Sequence, residues 1–162
     1  MNVDLWKDWK PGNSRAAHMA RGKNWIGDML SRHKIDIPEI ESFDLVELGK
    51  VSAQALDGGL GVNRFAKLLE TEMDNPLLRG PDGISLTIAS IIGSAAANAV
   101  SYKSCIELGV EKVQWIGHGL CAICSKNIDQ IRRIGEEFDS GHLFPPACVN
   151  CYCSITPVPI ER

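Results

Sequence analysis

Two Cys-x2-Cys pairs, Cys121/Cys124 and Cys148/Cys151, stand 23 residues apart in the last third of a 162-residue chain, and no other feature restricts its folding as much. Two intervening residues let a tight turn present both thiolates to one metal ion at about 2.3 Å, and two such turns complete a tetrahedron. Each thiol loses its proton on binding, so the free energy of binding becomes free energy of folding. The spacing is close to that of zinc ribbons and knuckles and predicts a ligand set of Cys121, Cys124, Cys148 and Cys151. Cys153 is held in reserve: in a strand it would face the same side as Cys151 and could replace it. His118 and His142, each near a turn, are reserves too. An iron–sulfur site would use the same donors, but zinc is the commoner occupant of paired turns. A four-thiolate zinc has no position for water, so the expected site is structural rather than catalytic. Two alternatives stand beside it: a thioredoxin-type redox pair at Cys121/Cys124, which lacks the surrounding βαβ pattern, and four unlinked buried thiols. Cys105 reads as a small core residue.

Apolar content of 44% and charged content of 23% belong to a folded, water-soluble chain. The net charge of −3 argues against a dedicated nucleic-acid binder. Its distribution is uneven: +4 over residues 1–34, −6 over 35–82 and −1 beyond. The first of these segments reads as a basic, tryptophan-containing arm with a helical turn around Arg15–Arg21. Trp6, Trp9, Arg15, Arg21, Lys23 and Trp25 are its candidate partner-binding residues, by phosphate contact and stacking if the partner is nucleic acid. His18 and His33 read as surface residues. The opening "MNVDLWKDWK" has charges where a signal peptide would be apolar, which predicts synthesis in the cytoplasm, where six cysteines favour metal or redox roles over disulfides.

Residues 35–109 read as a helical domain. One helix is expected from Phe43 to Leu56, with Phe43, Val46, Val51 and Ala55 inward and Gly58-Gly59 stopping it. A second carries Val62, Phe65, Leu68 and Leu69, with Asn63 as N-cap and Asn75-Pro76 as terminator. Then Ile84, Ile88, Ile91, Ala95, Ala99, Tyr102 and Ile106 step by fours and threes, a helical seam close to the coiled-coil repeat, and Gly109 ends it. Nineteen residues here carry no charge, but the serines, threonine and asparagine among them favour a buried central helix over a membrane span.

Residues 110–162 read as a cysteine-rich zinc-binding module with few large apolar residues. In "VEKVQWI" the period falls to two, with Val113 and Trp115 on one side: a half-buried strand. "SKNIDQIRRIGEEF" reads as a short helix capped by Ser125, with Ile128, Ile131, Ile134 and Phe138 inward, and "CYCSITPVPI" as an edge strand, because of Pro157 and Pro159. The fold class expected is α+β: a mainly helical N-terminal part with a long central helix, then a small zinc-stabilised module with short antiparallel strands. No GxSxG, P-loop, HExxH or dinucleotide turn is present, Glu136, Glu137 and Asp139 read as a solvated helix end, and no enzyme is expected.

The order of features over about residues 84–158 resembles the Mu F-like minor head proteins, or head morphogenesis proteins, of tailed bacteriophages. Gly109, Val110, Val113, Trp115, Cys121, Cys124, Pro145, Pro146, Asn150, Cys151 and Cys153 match that family's strand, Cys-x2-Cys and closing Pro-Pro…Cys-x-Cys. Cys148 stands where the family has histidine, an exchange of one zinc ligand type for another. Tyr152 and Val149 replace its arginine and proline, and the Arg-Thr-Glu of the preceding helix is absent. "IDQIRRIGEEF" stands where the family more often has a strand-like loop. The resemblance implies a virion protein made in the host cytoplasm, a minor component inside the head at the portal vertex, acting in head assembly, DNA packaging or ejection. Its implied partners are the portal protein, other head proteins and, through the arm, packaged DNA. A zinc-ribbon adaptor for nucleic acid or a transcription complex is the alternative from another class. It fits less well, because residues 110–162 carry five Lys/Arg against six Asp/Glu.

Overall fold

The computed structural model describes residues 15–22 and 24–159. Five helices come first: α1 (Arg15–Ala20), α2 (Trp25–Arg32), α3 (Leu45–Asp57), α4 (Val62–Glu72) and α5 (Ser85–Glu107), with single 3-10 turns at Ile40–Ser42 and Pro76–Leu78. Asp44 starts α3 by accepting the Val46 and Glu47 N–H groups at 2.9 and 3.1 Å, satisfying two donors that have no partner within the helix. Its buried stripe runs Leu48, Val51, Ser52 and Ala55. Val46, expected inward, is two residues from Leu48, nearly opposite on the helix, and is exposed. α4 begins after Gly61 rather than at an Asn63 cap, and Val62 in its first turn is exposed. Asn75 caps the following 3-10 turn, its side chain accepting the Leu77 N–H at 3.0 Å.

α5 is the spine. Ile88, Ala89, Ile91, Ile92, Ala95 and Ala96 are buried along its first half, and Tyr102 and Cys105 along its second. Of the expected seam, Ile88, Ile91, Ala95 and Tyr102 are buried, Ile84 and Ala99 are half-buried, and Ile106 is exposed. The helix ends in a Schellman turn: Gly109 has φ +69°, its N–H donates to Ile106 O at 3.1 Å, and the Val110 N–H donates to Cys105 O at 2.9 Å. Among the described residues no helix is long and apolar enough to cross a membrane.

Beyond α5 lie β1 (Lys112–Ile116), α6 (Ala122–Asn127), β2 (Ile131–Arg133) and β3 (Ser154–Pro157). They build a three-stranded antiparallel sheet in the order β2-β1-β3. Val113 opposes Arg132 and Pro157, and Trp115 opposes Ile155. Val113 and Trp115 are fully buried, as the alternation in the sequence demands, and β3 takes the edge position its prolines require. The expected helix over 126–138 does not form. α6 stops at Asn127, Asp129 reverses the chain at φ +63°, and Ile131–Arg133 pair with β1. Strand pairing with a distant segment wins over the i, i+3 spacing of the isoleucines, and it leaves Ile131 exposed.

Two hydrophobic cores result. The first holds residues from Ala17 to Ala96, and the second runs from Tyr102 through Val113, Trp115, Phe138 and Phe144 to Ile155. Residues 15–34, expected as part of an arm, form α1 and α2 and supply Met19, Ile26, Met29 and Leu30 to the first core. The cysteine-rich segment, expected to be poor in core, gains one by borrowing Tyr102 and Cys105 from α5.

Candidate metal centre

The chain after β1 runs through Gly117-His118-Gly119-Leu120 into α6, and Cys121 is the N-cap of that helix. Its Sγ accepts the Cys124 N–H at 3.2 Å, so the two-residue spacing forms a turn with both sulfurs on one side. Ser125, expected as the cap, has no such role: its hydroxyl donates to Ala122 O at 3.0 Å. The second pair forms a similar turn, with the Cys151 N–H donating to Cys148 O at 3.2 Å.

The two turns meet. Cys124 Sγ lies 3.8 Å from Cys148 Sγ and 3.5 Å from Cys151 Sγ. Cys121, Cys124 and Cys148 form one group whose sulfurs are all within 4.8 Å of one another, and Cys124, Cys151 and Cys153 form another. All six cysteines are free thiols. The relative exposures of Cys124, Cys151 and Cys153 are 1, 4 and 5%, while Cys121 and Cys148 are half-buried. In a tetrahedron with bonds of about 2.3 Å, sulfurs stand about 3.8 Å apart. The Cys124–Cys148 and Cys124–Cys151 separations fit that edge, and an all-sulfur donor set suits zinc or iron. A metal ion can thus be held by the cluster of Cys121, Cys124, Cys148, Cys151 and Cys153.

The electrostatics of the thiols fit this chemistry. Burial, reinforced by the hydrogen bond with Cys121 and by the nearby Cys151, pushes the Cys124 thiol far above its ordinary range. Burial, with the Cys121 contact, pushes Cys148 up to about 11, and burial raises Cys151. Cys121 is the exception. Burial works against its thiolate, but hydrogen bonds from Cys148 and from the Cys124 backbone outweigh it and lower its pKa. Neutral thiols crowded in this way gain little from one another, whereas a cation would convert them to thiolates and satisfy them together.

Of the reserves, only Cys153 is brought to the centre. Its carbonyl accepts from Asn98 Nδ2 at 3.3 Å, and a Cβ on Gly117 would stand 2.7 Å from its Sγ, so glycine is required there. His118 is exposed. His142 is buried and engaged elsewhere: its Nε2–H donates to His33 O at 2.8 Å, and Nδ1 accepts from the Ser140 hydroxyl at 2.8 Å. His33, expected on the surface, is buried beneath it. Cys105 lies in the second core, where burial raises its thiol.

Among the described residues, the arm candidates Arg15, Arg21 and Trp25 are not gathered into one surface. Trp25 is 7% exposed and packs in the first core, because it opens α2 on the helix's apolar face; it is not available to a partner. Arg15 pairs with Glu107 at 2.7 Å and Arg21 with Asp57, tying α1 to α5 and α3. Trp6, Trp9 and Lys23 lie outside the described residues.

Reasoning from sequence missed the residues that place the thiols. In the sequence Asn98 reads only as one of the polar residues that argue against a membrane span, and Gly117 only as part of a turn. Asn127, fully buried, binds Ser140 through both ends of its amide, Nδ2 to Oγ at 2.6 Å and Oδ1 from the Ser140 N–H at 3.1 Å. Two shallow clefts of about 360 and 280 Å³ border Pro76–Ile84 and Leu108–Glu111, and neither is lined by a cysteine.

No family model, no curated protein and no solved structure matches the chain.

Proposed function

We propose that this chain is a non-catalytic structural protein of a tailed-phage head, a Mu F-like minor head protein whose C-terminal module is held by one structural zinc. The observation that carries the reading is that the residues of the resemblance are those that build the module. Val113 and Trp115 lie in its core, and Cys121, Cys124, Cys151 and Cys153 share one cluster with Cys148, which stands at the family's histidine position. A zinc closed by four thiolates leaves no position for water or substrate, which supports a role in shape and docking rather than in turnover. In this reading the module docks at the portal vertex inside the capsid, and the basic N-terminal residues reach other head proteins or packaged DNA.

Two measurements on the purified full chain test this. Elemental analysis should return one zinc per chain, and the chain should co-purify with a portal ring when the two are co-expressed. A folded, metal-free protein sinks the zinc centre, and failure to associate with any portal ring sinks the virion assignment.

One observation favours a second reading. Cys121 is half-exposed, caps α6 and has a lowered pKa, the setting of a reactive thiol in a redox pair. Thiol titration with and without a strong chelator separates the two. Rapid reaction of Cys121 in the metal-loaded protein would favour oxidoreduction, whereas protection lifted only by chelation would favour the structural centre.

A further inference from the structure

Five thiols surround what a tetrahedral ion would leave as four positions, and the way they are held indicates how the surplus is shared. This inference rests on the metal reading above. Cys124 is the sulfur common to both mutually close groups. Cys121 and Cys148 reach it from one group, Cys151 and Cys153 from the other. The last two are tethered to different parts of the fold. Cys151 belongs to the turn of the second pair through its N–H bond to Cys148 O. Cys153 is tied instead to α5, through the Asn98 amide on its carbonyl, and to the loop after β1, where Gly117 leaves room for its sulfur. Asn98 is itself buried, and its amide, which also donates to Ser94 O at 3.0 Å, links α5 to the Cys153 backbone. Both thiols stand within 4.8 Å of the Cys124 sulfur, each with a backbone tether of its own.

We propose that Cys151 and Cys153 are interchangeable occupants of the fourth coordination position, with Cys121, Cys124 and Cys148 permanent. In the exchange the metal–sulfur bond to one breaks as the bond to the other forms, and the proton of the entering thiol passes to the leaving thiolate. No oxidant or reductant takes part. The chemical consequence is a centre that keeps four thiolates when Cys151 or Cys153 is alkylated or oxidised, but has no substitute for Cys124.

The test uses the full chain loaded with Co(II), whose sulfur-to-metal charge-transfer band grows with the number of thiolates bound. The wild-type protein should take up one Co(II) with a four-thiolate band. Cys151→Ser and Cys153→Ser should each keep that stoichiometry and band, with affinity within about tenfold, whereas the double variant should lose about a quarter of the band and bind roughly a hundredfold more weakly. A band that falls in one single variant but not in the other assigns the position to one cysteine and overturns the proposal, as does uptake of two ions. Should either single variant fail to fold, wild-type protein loaded with ¹¹³Cd gives the same answer. Scalar coupling from cadmium to the Cβ protons of both Cys151 and Cys153 supports interchange, and coupling to one alone refutes it. Wild-type protein that binds neither Co(II) nor Cd(II) refutes the metal reading itself, a result distinct from all of these.

Discussion

His33 follows the last turn of α2, 3% exposed, with its Nδ1–H donating to Pro146 O at 2.8 Å and the His142 ring stacked 6.4 Å away. Burial is the main cause that lowers its pKa from 6.5 to about 4; the Pro146 bond opposes this, and the charges of His142 and Arg32 add to it. The folded protein therefore prefers the neutral ring, while the unfolded chain takes a proton at about pH 6.5. His33 contributes stability in full above that pH and loses it as the pH falls toward 4, a change on the order of 2–3 kcal/mol. Urea melts of the wild type and His33→Gln at pH 7 and at pH 4.5 measure this. The wild type should lose more stability than the variant over that interval, and the comparison cancels the acid sensitivity the two share through their thiols. Equal losses would mean that His33 is not held neutral. The sequence around it, "SRHKID", gives no sign of any of this, because the partners that bury the ring lie more than a hundred residues away.

At the scale of elements, α5 joins the two cores, and on its second half Asn98 and Tyr102 each hold a polar contact to the cysteine-containing module. The Gly135 N–H donates to Tyr102 Oη at 2.7 Å, while the ring tilts against Phe144 at 4.9 Å between centroids. Tyr102→Phe keeps the ring and leaves the Gly135 N–H without its partner, so it should cost about 1–2 kcal/mol in chemical denaturation with helical circular dichroism unchanged. A loss below about 0.5 kcal/mol would mean that water replaces the hydroxyl freely. Elements of this kind were legible in proportion to how local their causes are. The α5 seam and the alternation of β1 lie within single segments, and both formed where the sequence placed them. β2 was misread as helix because its three residues are strand only by pairing with β1, which displaces the spacing of Ile128, Ile131 and Ile134. α6 was misplaced because its cap is a cysteine sulfur, a partner that ordinary capping preferences do not anticipate.

At the scale of the whole molecule, the helical core and the cysteine-containing module share α5 and are also fastened by the two histidines. The first core contains no cysteine, so removing metal should leave it standing. Chelation is expected to retain most helical circular dichroism, to abolish the near-ultraviolet signal of Trp115, and to expose the segment 117–153 to protease before the segment 15–107. Simultaneous loss of both signals at the same chelator concentration would show instead that the molecule folds as one cooperative unit with its metal.

The sequence alone determined the thiol turns, the buried spine and the central strand, since each depends on the spacing of residues a few positions apart. The tertiary structure decided the rest. It brought Cys153 into the cluster beside Cys151, buried Trp25, His33 and His142, and converted 131–133 from helix to strand. These outcomes are set by contacts between segments far apart in the chain, whose packing and hydrogen bonds exceed the local preferences that a sequence displays.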